Sequence, residues 1–237
     1  TSNTAGNNGG CMSFDDNIEI NIINNIIKNN TASISGGVIY ANHSSRMPNL
    51  IDSQVLYNTA LNGNCGAFCT SLSIIRKCNI EYNVAHKNGG FAYSLKSFYA
   101  MIDILDTRMI SNNAIHGSGG GIWIHNVSLS NGLLLNVMSS IFNDNTAGIH
   151  GGIMYINDNN IDIRISNSSM VSNKALLGDG GCISSRSYIN MNMTYNDITS
   201  NTAGNNGGCM SFDDNIEINI INNIIKNNTA SISGGVI

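Results

Sequence analysis

The sequence predicts an all-β fold: a right-handed parallel β-helix of about 25–33 residues per coil with an inward asparagine ladder. Three observations predict it. The motif hydrophobic-x-x-Asn-x-Ala recurs along nearly the whole chain, and a Gly-Gly pair follows it within a short turn. Between motifs lie short runs of apolar/polar alternation, "NIEINI" at 17–22, "IDIRIS" at 161–166 and "INMNMT" at 189–194. Alternation with period two marks strands with one buried face, and no stretch carries a clean 3.6-residue apolar period.

Each element has a physical reason. The ladder positions are Asn3, Asn30, Asn58, Asn83, Asn112, Asn145, Asn173, Asn201 and Asn228, spaced 27, 28, 25, 29, 33, 28, 28 and 27 residues apart. That period is too long for a hexapeptide solenoid and too short for helical hairpins. A buried turn leaves backbone groups unpaired, and an inward Asn in every coil can bond its amide to the Asn above, the Asn below and the turn backbone. The hydrophobic residue three before the Asn fills the core, and Ala fits a narrow corner. The Gly pairs are read at Gly9-Gly10, Gly36-Gly37, Gly89-Gly90, Gly120-Gly121, Gly151-Gly152, Gly180-Gly181, Gly207-Gly208 and Gly234-Gly235, with Cys65-Gly66 in one coil. They permit positive φ at a tight corner.

One repeat is of another order. Residues 1–39 return unchanged as residues 199–237, an offset of 198. Neighbouring coils share little beyond Asn, Ala and Gly-Gly, so this is not coil-level repetition. Residues 1–198 read as one full unit of seven coils, and 199–237 as the start of a second identical unit continuous with the first. No capping segment is evident at either end, which a solenoid needs where it stops. A neighbouring copy is therefore expected to supply the next coil, as more of one polypeptide or as subunits stacked end to end.

Composition removes several function classes. The chain is 42% hydrophobic but only 11% charged, with net charge −4. No Lys/Arg cluster exists to neutralise phosphates, so nucleic acid is not an expected partner. No apolar run reaches the roughly 18–20 residues of a membrane span. No cofactor is expected.

The two repeat elements stand as "GGVI" (36–39), "CGAF" (65–68), "GGIM" (151–154), "GGCI" (180–183) and "FNDN" (142–145). They resemble the repeats of the chlamydial polymorphic outer membrane proteins, whose signatures are Gly-Gly-Ala-Ile/Leu/Val and Phe-x-x-Asn. The resemblance covers the whole chain. Ala follows the pair only at Ala67, and Phe opens the Asn motif only at Phe142. The resemblance implies a secreted, surface-displayed passenger with an adhesive role, placed outside the cell or on its surface.

Six sequons stand at Asn29, Asn42, Asn126, Asn167, Asn192 and Asn227. Alternation in "INMNMT" turns Asn192 outward, and an inward ladder turns Asn29 and Asn227 outward. Covalent N-glycans are the expected modification. Cys182 and Cys209 follow Gly-Gly in consecutive coils. Stacked strands would place them about 4.8 Å apart, within the Cα range of a disulfide, so a Cys182–Cys209 bridge is expected; buried thiols packing as small hydrophobes are the alternative. Cys65, Cys69 and Cys78 crowd the shortest coil, and the spacing leaves open which two pair. His86, His116 and His150 precede the Gly pair in three consecutive coils but out of register, as exposed turn residues rather than metal ligands.

β-Helices also host polysaccharide-degrading enzymes, which need clustered carboxylates. Asp15, Asp16, Glu19, Asp103 and Asp162 do not gather in one groove, so no catalytic site is expected. The sequence thus points to a structural extracellular repeat protein forming a fibre or stalk. The rival is a discrete adhesin using residues 41–52 and the long 112–145 coil.

Overall fold

The structure, a computed structural model, describes residues 2–15, 20–41, 49–70, 72–95, 101–125, 132–157, 161–186, 188–213 and 216–237. Over these residues the chain winds as a parallel β-helix with four sheets. In coil order, sheet 1 stacks nine two-residue strands from Thr4–Ala5 to Thr229–Ala230. Sheets 2, 3 and 4 stack eight strands each, from Met12–Phe14 to Met210–Phe212, from Asn21–Ile23 to Ile216–Ile221, and from Ile26–Lys28 to Ile224–Lys226. Alternation alone predicts two or three strands per coil, because strands of two or three residues are too short to register as a period.

Side chains alternate as the pleat requires. In Ile161–Ser166, Ile161, Ile163 and Ile165 are buried, while Asp162 and Arg164 are exposed. The next coil sets Ile189, Met191 and Met193 on those three isoleucines in register. Each such burial contributes about 1.5–3 kcal/mol, and together these rows form one core running along the helix axis.

The motif proves to be one hydrogen-bonding unit. At the corner from sheet 4 to sheet 1, the N–H and Nδ2 of Asn112 both donate to Oδ1 of Asn145, at 3.1 and 3.0 Å. Nδ2 of Asn145 donates onward to Oδ1 of Asn173 and back to the carbonyl of Met109, the hydrophobic residue three before Asn112. The same pattern runs from Asn3 to Asn228. Asn58, Asn83, Asn112, Asn145, Asn173 and Asn201 are completely buried. From Asn30 to Asn228, the residue before each ladder Asn takes the left-handed conformation that turns the corner, as at Asn29 (φ 57°), Tyr57 (55°) and Tyr82 (56°).

The Gly pair has two jobs. Its first residue sits at positive φ, from Gly9 (66°) to Gly234 (62°), and Cys65 (63°) takes that place in one coil. Its second residue is required for another reason: the glycine carbonyl of the next coil lies where a Cβ would be, in an unbroken column from Gly10 to Gly208. In the long 112–145 coil the pair is shifted one residue from the sequence reading. Gly119 has φ 68° and Gly120 joins the column, while Gly121 lies against the Met109 side chain.

Two further polar ladders were not foreseen. At the corner from sheet 3 to sheet 4, Asn25, Ser53, Cys78, Thr107, Ser140, Ser168, Asn196 and Asn223 form one row. The N–H of Thr107, Ser140, Ser168 and Asn196 each donates to the side-chain oxygen of the next coil, at 2.8–3.2 Å. In the turn from sheet 1 to sheet 2 the direction reverses. The N–H groups of Asn64, Asn88, Ser118 and Asn206 donate to Ser35, Asn64, Asn88 and Asp179 of the coil before.

The expected Cys182–Cys209 bridge is not formed: both are buried free thiols, as is Cys78. The pairing itself is as expected, with the N–H of Cys182 donating to the carbonyl of Cys209 at 2.7 Å. In-register parallel neighbours carry parallel Cα–Cβ bonds, which hold their Cβ atoms about 4.8 Å apart, beyond the usual Cβ separation of a disulfide. The bridge lies instead between Cys65 and Cys69, whose Cα atoms are 5.3 Å apart. Cys65 occupies the left-handed turn position, so its side chain swings to the outer face of sheet 2, where Cys69 points. Reducing this short-loop bridge should cost about 2 kcal/mol; thermal melts with and without dithiothreitol measure it.

Candidate functional site

The outer face of sheet 2 carries an aromatic row. Tyr40, Cys69, Tyr93, Trp123 and Tyr155 occupy successive coils at one register position, three residues after the second glycine. Tyr93 packs edge-on against Trp123 at 4.3 Å, and Trp123 lies 6.1 Å from Tyr155. Tyr40, Trp123 and the Cys65–Cys69 bridge enclose Tyr93. Burial raises the Tyr93 hydroxyl to a pKa of about 12. Trp123 leaves its buried indole N–H without a hydrogen bond among the described residues. The signal for this row was in the sequence, as an aromatic at fixed offset from Gly-Gly.

Beside it, His150 stacks on Tyr155 at 5.5 Å and fills a position of the turn ladder. Its Nδ1 accepts from the N–H of Asp179 at 3.1 Å and lies 3.2 Å from the Asp179 carboxylate. Burial pulls the His150 pKa below the ordinary imidazole range, opposed by the Asp179 carboxylate; Arg186 and Asp213 are the other charges that act on it. As pH falls below about 6.5 the unfolded chain takes up this proton before the folded one does, so stability falls with pH down through the folded pKa. The urea midpoint should therefore drop more between pH 7 and pH 5 in the native chain than in His150→Asn, which keeps an acceptor in the row.

The other histidines do not join it. His86 and His116 meet edge-on at 4.7 Å, and among the described residues no three His, Cys, Asp or Glu side chains gather as a metal site. Asp103 shares its row with Asn136, which donates to it at 3.3 Å, whereas Asp162 lies in the row of Leu134. Asp16 and Glu19 lie outside the described residues, as do the sequons Asn42 and Asn126.

The four remaining sequons divide into two kinds. Asn29, Asn167 and Asn227 are exposed at left-handed corners, with φ of 57°, 49° and 56°. Asn tolerates this conformation better than most residues. Asn192 is half-buried in the middle of a sheet 3 strand and accepts from Asn219 at 3.1 Å.

The seam between the two identical segments is an ordinary coil junction. Asn173 donates to Asn201, Asn206 donates to Asp179, and Arg186 meets Asp213 at 3.5 Å. That ion pair is more than half exposed and contributes no more than about 1 kcal/mol. Identical residues also appear in two settings. Met12 is 48% exposed, whereas its repeat Met210, stacked on Ile183, is 0% exposed. Cys11 is exposed and Cys209 buried. The coil before residue 199 accepts the repeated sequence in register.

Fold and site define a parallel β-solenoid with three polar ladders between its coils and an aromatic row on one outer face. Comparison with protein-family models, curated proteins and solved structures yields no match. Among the described residues, no helix is long and apolar enough to cross a membrane.

Proposed function

We propose that the chain is a structural extracellular repeat protein, a β-helical fibre or stalk built from 198-residue units and bearing N-glycans. One observation carries this reading. The described residues of the two copies follow the same coil path, with Cys11 and Met12 donating to Val38 as Cys209 and Met210 donate to Val236, and the second set stacks on the preceding coil with its described rows aligned. A unit that receives its own repeat in register extends without a change of geometry. Strand spacing implies a rise of about 34 Å per seven-coil unit. The Gly-Gly and Phe-x-x-Asn elements and the Cys65–Cys69 bridge support placement outside the cell, where disulfides persist. Electron microscopy of native material tests it: unbranched rods support the reading, and compact particles count against it.

The aromatic row favours a second reading, a surface adhesin, because it sets the partly exposed Trp123 ring between Tyr93 and Tyr155 on an outer face. Saturable quenching of Trp123 fluorescence by host glycans, with the binding itself lost by calorimetry in Trp123→Phe, would support that reading over the first.

A further inference from the structure

We propose that Asn29 carries an N-linked glycan whose first sugar lies on the open face of Tyr57. Asn29, Tyr57 and Tyr82 hold the same left-handed corner in three consecutive coils, with φ of 57°, 55° and 56°. Their strands pair in register, Ile27↔Val55 and Val55↔Ile80, so the three side chains leave the helix one above another. Tyr82 stacks on Tyr57 with ring centroids 4.9 Å apart and planes 1° from parallel. That covers one face of Tyr57. The other face looks toward the coil of Asn29, and Tyr57 remains 53% exposed.

The Asn29 side-chain amide is exposed and makes no hydrogen bond among the described residues, while its backbone N–H donates to the Leu56 carbonyl. The intervening Asn30 is buried in the ladder, and Thr31 returns to the outer side of sheet 1. The sequon therefore presents its acceptor outward while its middle residue is held inside. Attachment is a glycosyl transfer from a lipid-diphosphate-linked oligosaccharide. The Asn29 Nδ2 forms a bond to the anomeric carbon and gives up one proton, the anomeric C–O bond to phosphate breaks, and the lipid diphosphate leaves. A sugar rooted one coil away from an open phenol face, at about 4.8 Å spacing, can bring its apolar C–H face onto that ring, the contact that an amphipathic aromatic offers.

This inference rests on the extracellular reading, and the test separates the two. Peptide mapping of native protein should find Asn29 glycosylated and Cys65–Cys69 oxidised. Asn29 bare beside an oxidised bridge overturns the inference alone, whereas reduced cysteines with every sequon bare overturn both. For the contact, hydrogen exchange at the Tyr57 corner is compared in four secreted chains: native, Tyr57→Ala, Thr31→Ala, which abolishes the sequon without touching Asn29, and the double variant. Loss of the glycan should speed exchange about tenfold when Tyr57 is present, and have little effect when it is Ala. An equal effect in both backgrounds overturns the contact.

Discussion

Replacing Asn145 by Leu is expected to destabilise the protein by about 4 kcal/mol, although Leu matches Asn closely in size and would fill the space. Asn145 is completely buried in the middle of the ladder. Its loss strands the N–H and one Nδ2 proton of Asn112, and removes the donor that reaches the Met109 carbonyl. Each buried group left without a partner costs about 1–3 kcal/mol. The effect should also change the shape of unfolding. In a solenoid each coil touches only its neighbours, so a fault in the middle weakens the coupling between the halves. Urea denaturation should therefore show a lower midpoint and a broader or divided transition. Asp162→Asn, on the exposed outer face of sheet 3, should change stability by less than about 0.5 kcal/mol.

Gly152→Ala should be as damaging, by about 3–5 kcal/mol, and more damaging than Gly151→Ala. The contrast runs against the usual expectation, because Gly151 is the residue with φ of 65°. A Cβ on Gly151 would also meet main chain, at the Met154 carbonyl, but within its own turn, and the same left-handed position accepts a side chain at Cys65. The Gly152 position does not. A Cβ there would overlap the Gly181 carbonyl of the next coil and meet the Lys174 backbone. Those atoms are main chain, and the nearest belongs to the coil stacked on Gly152, so relief requires separating two coils. Thermal melts of the two variants side by side decide it: equal losses would mean that the contact between coils constrains glycine no more than the contact within the turn does.

How far the sequence could be read depended on how many chemistries satisfy a given position. The ladder from Asn3 to Asn228 was legible because its place needs an acceptor for two donors of one neighbour and donors for two other groups, which Asn meets in every coil. The row through Ser53, Cys78, Thr107 and Asn196 needs only one side-chain atom able to accept a backbone N–H, so residue identity drifts and no motif survives. The same holds in the turn row, where His150 and Asp179 stand among Asn and Ser. The second glycine was legible, but its reason was not: a steric column between coils leaves no mark on local turn propensity. Cysteine spacing misled for a geometric reason. Cys182 and Cys209 are neighbours on aligned strands, which brings the Cα atoms near but keeps the Cβ atoms parallel, whereas Cys65 turns toward Cys69 through a corner.

The seam observations bear most directly on what the chain does. Cryo-electron microscopy of native material, with its helical layer lines measured, tests the account at its centre. Units stacked end to end give unbranched rods with a coil spacing of about 4.8 Å and a superposed repeat of about 34 Å, seven coils per identical unit. Compact particles, or rods in which the 198-residue repeat does not coincide with a whole number of coils, would contradict it.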